Sequence, residues 1–188
     1  SEAVSTLVNM SDPPPIPTVP KLSETTIQPL CVGGAISLCT NAYQGTTVTY
    51  NWVTPNKGVF LTTTHCFNIP QSVADDSGVY SVFVSIDGCN SRESGEVILQ
   101  VTPKPVLTAS TNGPVCQGLP IELKSTFVPG AQYNWNGPNF SSSLSSPTIA
   151  EADSAQHAGT YAVFATLNGC KSDIVTTKVE VLAGARRP

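Results

Sequence analysis

The sequence predicts an all-β chain that contains two similar antiparallel β-sandwich domains in tandem. Short runs of alternating apolar and polar residues recur through the chain, and no segment has the apolar period of a helix. The stretch 78–89 returns in close copy at 159–170, and each copy ends in an Asp-Gly or Asn-Gly turn followed by a cysteine. Such a turn after an apolar run is a strong hairpin signal. The repeat therefore indicates two copies of one disulfide-stapled module.

The first module contains five predicted strands. Val48, Tyr50 and Trp52 share one face of the second of these strands, as the period of two requires of a half-buried strand. The same alternation assigns strands to 35–40, 47–53, 65–69, 78–86 and 96–101.

The second module repeats this order. Trp135 precedes Tyr161 by 26 positions, against 28 positions between Trp52 and Tyr80, so the two modules are expected to share one topology. Its predicted strands cover 120–127, 131–135, 147–151, 159–167 and 173–182.

Proline-rich stretches mark the domain boundaries. Prolines dominate 12–20, and Pro103 and Pro105 flank the junction between the modules, which favours extended and rather stiff linkers. We therefore expect an N-terminal segment with a linker at 1–21, a first domain at 22–103, a second domain at 104–183 and a tail at 184–188. The pair is expected to act as a semi-rigid spacer.

Composition restricts the classes of function. Charged residues make up 12% of the chain, about half the ~25% of an average soluble domain, and the net charge is −4. Nucleic acid is not expected as a partner, because phosphate binding needs clustered Lys and Arg. No apolar run is long enough to span a membrane. Because the chain starts at Ser1 without Met, we expect a fragment of a longer secreted protein.

The six cysteines sit at spacings that repeat. Cys31 and Cys89 bracket the first module, and Cys116 and Cys170 bracket the second, so repeat symmetry predicts these two disulfides. Cys39 and Cys66 lack counterparts and are expected to pair with each other. Free thiols or a metal site are the alternative, although the chain has no Cys-x-x-Cys motif. Disulfides imply an oxidising, extracellular compartment.

The phase of the strands places the third pair. Cys39 is out of phase with Ile36 and Leu38, and Cys66 is out of phase with Phe67, so both sulfurs should point away from the core. If the two strands are neighbours, the bridge crosses the outer face of one sheet.

The motif Asp76-x-Gly-x-Tyr80, preceded by Trp52, is similar to the tyrosine corner and core tryptophan of immunoglobulin-like sandwiches. Trp135 and Tyr161 repeat it, with His157 in place of the aspartate. What the resemblance implies is a tryptophan packed between two sheets and a tyrosine hydroxyl bonded to nearby backbone. The cysteine that antibody domains carry two residues after the tyrosine is replaced by valine in both modules.

A second resemblance rests on four motifs in order: Pro-x-Cys-x-Gly, Trp, Gly-x-Tyr and Asn-Gly-Cys or Asp-Gly-Cys. Together they resemble the tandem immunoglobulin-like repeats of very large secreted and cell-surface proteins of the Bacteroidetes, over about residues 22 to 183. This resemblance implies a repeat from an adhesin, a gliding-motility surface protein or a multidomain secreted enzyme.

Candidate catalytic and metal residues are weak in this sequence. A hydrolytic triad would need His65 or His157 beside a carboxylate and a nucleophile, and both are better explained as surface histidines. Asp75 and Asp76 could ligate Ca²⁺, but the corner role is preferred for Asp76 because the second module lacks the pair. We therefore predict no enzyme activity, no cofactor and no metal.

Two binding signals also have simpler explanations. The aromatic residues Tyr43, Tyr133, Trp52 and Trp135 could form a sugar-stacking platform, but core tryptophans are expected. Asn9 and Asn139 begin glycosylation sequons, which matter only in a eukaryotic source.

The sequence thus favours a non-enzymatic, extracellular structural or adhesive module of a larger cell-surface or secreted protein. It would contact neighbouring domains of the same polypeptide and present loops such as 136–146 to a surface protein or polysaccharide. The alternatives are a carbohydrate-binding accessory unit of a secreted hydrolase and the ectodomain of an immunoglobulin-superfamily receptor.

Overall fold

The computed structural model describes residues 12–56 and 58–183. The chain divides into two compact units, with the boundary between Val101 and Thr102. We call the parts before and after this boundary unit one and unit two. Each unit is an immunoglobulin-like antiparallel β-sandwich, which confirms the predicted fold class.

Within residues 12–56 and 58–101, unit one contains two sheets and one 3-10 turn, η1, at Ala74–Asp76. Its strands are β1 (Lys21–Leu22), β2 (Ile36–Cys39), β3 (Val48–Thr54), β4 (Gly58–Thr62), β5 (Cys66–Ile69), β6 (Gly78–Ile86), β7 (Cys89–Asn90) and β8 (Val97–Leu99). One sheet has the order β1-β2-β5. The other has the order β4-β3-β6-β7, and β8 also pairs with β6.

Unit two repeats the arrangement. Its strands are β9 (Ala109–Thr111), β10 (Val115–Cys116), β11 (Ile121–Ser125), β12 (Gln132–Gly137), β13 (Phe140–Ser142), β14 (Thr148–Ile149), β15 (Gly159–Leu167), β16 (Cys170–Lys171), β17 (Val175–Val179) and β18 (Val181–Leu182). The two sheets have the orders β14-β11-β9 and β13-β12-β15-β16, with β17 also on β15. The short strands β10 and β18 form a parallel pair.

Each core is built around a tryptophan and a tyrosine that lie on neighbouring strands of one sheet and face the opposite sheet. Trp52 and Trp135 have no exposed surface, and Tyr80 and Tyr161 are at most 2% exposed. Burial of such large aromatic side chains supplies much of the apolar surface that a small domain can remove from water. The period of two along the central strands therefore fixes which side chains form the core.

The long strands β6 and β15 begin and end at the residues that alternation predicts. The sequence did not predict β4 or β13, the partners of β3 and β12. In β4 the consecutive residues Val59, Phe60 and Leu61 hide the period of two, because both faces of this strand are apolar.

The predicted hairpin turns follow β6 and β15. Asp87 and Gly88 both have positive φ, at 49° and 87°, and Asn168 and Gly169 repeat this at 49° and 80°. Positive φ at both central residues characterises the type I′ turn, which matches the twist of two antiparallel strands. Cys89 and Cys170 begin the short strands that return from these turns.

A disulfide joins Cys39 to Cys66. The two residues lie directly opposite each other where β2 pairs with β5, and both are half-buried. The bridge therefore links two neighbouring strands of one sheet and does not span the sandwich.

Of the two bridges predicted from repeat symmetry, Cys116–Cys170 does not form, because Cys116 is a free thiol. For Cys31–Cys89 the strand geometry of unit one is unfavourable. In unit one, the Cys31 carbonyl accepts a hydrogen bond from Ser72, which comes just before η1 and the start of β6. Cys89 instead pairs with Ile86 at the far end of β6. At about 3.3 Å per residue, this nine-residue strand separates the two cysteines by the length of the sandwich.

The same geometry holds in unit two. Cys116 lies beside the segment that precedes β15, where Gly118 donates a backbone hydrogen bond to Ala152, and Cys170 follows the far end of β15. Cys116 is an exposed free thiol. A disulfide needs Cα atoms within about 7 Å, so repeat symmetry in the sequence does not imply closeness in space.

Replacing both Cys39 and Cys66 with serine should destabilise unit one. The bridge closes a loop with a sequence separation of 27, for which the chain-entropy model gives about 3 to 4 kcal/mol. We expect the denaturant midpoint of unit one to fall while that of unit two stays constant, measured by guanidinium unfolding without reductant. Cys116→Ser is the control. An unchanged midpoint for unit one in the double variant would contradict the prediction.

Candidate functional site

Both units contain a tyrosine corner. The Tyr80 hydroxyl donates a hydrogen bond of 2.8 Å to the Asp76 carbonyl, and the Tyr161 hydroxyl donates one of 3.0 Å to the His157 carbonyl. Both rings are buried. These residues therefore hold the turn before a central strand and are not available to a ligand through their hydroxyls.

Asp76 and His157 perform the same task with different side chains. A carboxylate oxygen of Asp76 accepts a hydrogen bond from the Val73 backbone N–H at 2.8 Å, and His157 Nδ1 accepts one from the Asp153 N–H at 3.1 Å. Each side chain thus stabilises the turn of its own corner by accepting a backbone hydrogen bond from a residue three or four positions earlier. This explains why histidine can stand where the first unit has aspartate.

Burial changes the acidity of the corner tyrosines. Desolvation, together with the nearby Asp76 carboxylate, raises the pKa of Tyr80 from 10.0 to about 12. Desolvation also raises the pKa of Tyr161. Both hydroxyls are therefore neutral donors throughout the physiological range.

The sequence candidates for catalysis and metal binding do not come together. His65 is exposed and immediately precedes β5, and His157 belongs to the other unit. Asp75 is exposed, while Asp76 is buried in its corner. Within residues 12–56 and 58–183, no group of three or more acidic, histidine or cysteine side chains could hold a metal ion.

The candidate sugar platform is dispersed in the same way. Trp52, Trp135 and Tyr133 belong to the two cores. The Tyr43 hydroxyl donates to the Ile16 carbonyl at 3.2 Å, and its ring lies beside Tyr50. Asn139 is exposed in the turn between β12 and β13, with φ of 46°. The other sequon, at Asn9, lies outside the described residues.

A feature that the sequence analysis missed is the apolar outer face of the β4-β3-β6-β8 sheet in unit one. Its most exposed side chains, with their exposed fractions, are Val59 (57%), Leu61 (64%), Val79 (40%) and Ile98 (75%). Val53 and Phe83, both half-buried, share this face with the buried polar residues Asn51 and Ser81. Val53 pairs with Val59 and Ser81, and Phe83 pairs with Asn51. Contiguous apolar patches of this kind often mark interaction sites.

The corresponding face of unit two is polar. Aligning the two tryptophans and the two tyrosines by strand register places Asn136, Ser141, Thr160 and Lys178 where unit one has Val53, Val59, Val79 and Ile98. All four polar side chains are exposed. The remaining aromatic residue, Phe164, is covered by the Lys171 ammonium group, 3.7 Å from the ring centroid. The two copies therefore share a core and differ on this face.

The signal for this face is present in the sequence. The residues of β6 are apolar in both phases of the strand at Val79, Tyr80, Val82 and Phe83, whereas unit two has Thr160 where unit one has Val79. An apolar run without alternation is also typical of a strand buried on both sides. Only the structure distinguishes the two cases, because it leaves the second face uncovered.

Comparison with solved structures finds similar folds at low identity. Murine CEACAM1b is 14% identical, with 81% of this chain and 95% of that chain covered and a TM-score of 0.40. The I67–I69 fragment of titin is 13% identical, covering 92% and 65%, with a TM-score of 0.43. Three N-terminal domains of the outer capsid protein Hoc of bacteriophage RB49 are 17% identical, covering 88% and 59%, with a TM-score of 0.40.

No protein-family model matches the chain, and no curated protein matches it. The similarities to solved structures therefore assign neither a family nor a ligand. Across the described residues, no helix has the length and apolarity needed to cross a bilayer.

The raised pKa of Tyr80 predicts a loss of stability at alkaline pH. Because the folded-state pKa lies above the unfolded value of 10.0, this stabilisation is fully present below pH 10 and is lost as the pH rises through about 12. We expect Tyr80→Phe to lower the stability of unit one by about 1 kcal/mol at neutral pH, through loss of the hydroxyl bond. The Tyr80→Phe variant should also lose less stability than the wild type at alkaline pH. Urea unfolding against pH measures both, and an undiminished alkaline loss in the variant would refute the assignment.

His157 offers a second test of the corner. We expect His157→Ala to destabilise unit two by about 1 kcal/mol, because the Asp153 N–H loses its acceptor. His157→Asn should retain most of that stability, since its amide oxygen can take the position of Nδ1. Thermal unfolding of both variants distinguishes the two results. Equal destabilisation by Ala and Asn would show that the acceptor is unimportant.

Proposed function

We propose that this chain is a non-enzymatic, adhesive and structural module of a larger extracellular protein, and that it makes its adhesive contact through the outer face of unit one. The single observation that carries the proposal is the contrast between the two copies. Val53, Val59, Val79 and Ile98 are apolar where the equivalent positions of unit two are polar. Folding does not require this difference, since both units pack a central tryptophan and tyrosine in their cores.

A second copy of this chain is the partner that fits this face. In a two-fold interface each residue meets the same surface on its partner, so a charge near the axis would meet a like charge. The chain carries a net charge of −4, but the residues that form the face, from Asn51 and Val53 to Phe83 and Ile98, are uncharged. An exposed charged side chain, Glu96, lies next to these residues, two positions before Ile98 and in the same phase of the chain. Two acidic copies can therefore approach along this face with little repulsion.

The size of the face favours a weak, reversible contact. Four exposed aliphatic side chains with their half-buried neighbours amount to roughly a few hundred Å² of apolar surface, below the ~800 Å² per partner of a standard interface. Weak contacts become effective when many are presented together, because the second and later contacts form at a high local concentration. Such behaviour suits a repeated module on a cell surface.

The remaining features support an extracellular spacer. The Cys39–Cys66 disulfide is typical of an oxidising compartment. Pro103 and Pro105 limit the freedom of the chain where the units join, as expected of a semi-rigid element. We propose that the parent is a secreted or surface protein of the adhesin or gliding-motility type, in which neighbouring modules continue the array.

One specific observation favours the alternative of a receptor ectodomain. Asn139 is exposed in a turn, where an enzyme could reach its sequon, as in the ectodomain of an immunoglobulin-superfamily receptor. An intact mass from the native source without added glycan would count against it. A carbohydrate-binding role has less support, since the tryptophans are buried in the cores. Failure of the chain to bind any member of a polysaccharide panel would contradict that role.

We expect the chain to show a reversible monomer–dimer equilibrium. The double variant Val59→Ser and Ile98→Lys, which copies unit two, should weaken association at least tenfold without loss of folding. Sedimentation velocity over a range of concentrations gives the dimer dissociation constants of the wild type and of the double variant. The matched control is Val106→Ser with Ile174→Lys, two exposed positions of unit two. A strictly monomeric wild-type chain at high concentration, or equal loss in the control, would overturn the homotypic contact.

A further inference from the structure

A second feature of unit one is an open cavity of about 440 Å³ at the side of the sandwich. It lies where β4, the edge of one sheet, faces β5, the edge of the other. Its apolar walls include Phe60, Phe67, Ile69 and Val73, and Tyr80 also lines it. It is separate from the outer face, because Phe60 and Tyr80 point to the opposite side of their strands from Leu61 and Val79.

Unit two shows what occupies the equivalent place. There the ring of Phe140 packs against Tyr161, with centroids 5.9 Å apart, and joins the core cluster. Strand register pairs Phe140 with Gly137, and the corresponding pair in unit one is Gly58 with Thr54. Unit one therefore has glycine where unit two supplies its own phenyl ring. A Cβ added at Gly58 would meet no atom within 4 Å.

The walls of the cavity in unit one are themselves aromatic. The rings of Phe60 and Phe67 are 5.8 Å apart, and Phe67 is 6.3 Å from Tyr80. Register places Ser142 and Pro147 of unit two at the positions of Phe60 and Phe67. In unit one, aromatic side chains thus surround the cavity, whereas in unit two an aromatic side chain fills it. Offset and edge-to-face contacts between rings favour an aromatic guest over an aliphatic one.

From this comparison we propose that the cavity binds an aromatic side chain of an extended segment in a partner polypeptide. Its volume lies in the range of small-ligand sites and exceeds that of one phenyl ring. Both flanking strands are sheet edges, so their outward N–H and C=O groups can pair with an incoming strand while its side chain enters the cavity.

The undescribed ends of this chain do not supply that side chain. Residues 1–11 and 184–188 contain no Phe, Tyr or Trp. These segments are therefore not the source of the aromatic group. The site differs from the homotypic face in residues and in the chemistry of its guest, so each can fail without the other.

The test uses N-acetylphenylalaninamide as the probe and N-acetylalaninamide as the reference, followed by 1H–15N NMR on the full chain. We expect saturable shifts for the phenylalanine probe at residues of β4, β5 and η1, with a dissociation constant on the order of millimolar for one isolated ring. The alanine probe should produce none. Absence of saturable shifts at these residues, up to the solubility limit of the probe, would overturn the proposal.

Two variants that copy unit two make the test specific. Phe60→Ser removes a wall, and Val73→Asp places a charge at the rim, where unit two has Asp153. Each should weaken probe binding at least tenfold, and the spectrum itself reports whether the variant is folded. Val106→Asp, at an exposed position in unit two, is the matched control and should bind as the wild type does. Undiminished binding by folded Phe60→Ser and Val73→Asp would assign the shifts to another site.

Discussion

The hydrogen bond from a buried tyrosine hydroxyl to the backbone four residues earlier is the constraint on which both units depend. It fixes the turn before β6 and β15, and these central strands pair with the tryptophan strands β3 and β12. Removing the tyrosine hydroxyl would leave a buried backbone carbonyl without a hydrogen-bond donor. The free-energy cost of that unsatisfied carbonyl is larger than the net contribution of a typical hydrogen bond to stability. The turn is closed a second time by Asp76 or His157, so the corner is held by both backbone and side chain.

Because the two units share the corner tyrosine and the central tryptophan of the core, each unit serves as a reference for the other. Differences that the core does not require then become informative. Unit one exposes aliphatic side chains on its outer sheet face and opens a cavity beside Tyr80, where unit two has polar residues and Phe140. Duplication followed by change at exposed positions is a simple way for a stable scaffold to acquire contacts without loss of folding.

The cysteines show where reasoning from repeats fails. Equivalent positions in two copies need not be close within one copy, and the length of β6 separates the ends at which Cys31 and Cys89 lie. Cys39 and Cys66 were placed by a different argument. Their phase along two short strands put both sulfurs outside the core, and neighbouring strands of one sheet bring such residues within bonding distance. Local phase is a safer guide to pairing than symmetry of spacing.

The sequence alone determined the fold class, the long strands, the type I′ turns and the corner residues, because each follows from local rules of period, turn chemistry and burial. It did not predict β4, because both faces of that strand are apolar. Only the tertiary structure decided which apolar residues remain exposed. Val79 and Val82 look alike in the sequence, but one lies on an uncovered face and the other in the core. Exposure depends on what packs against a strand, and that is a property of the whole sandwich.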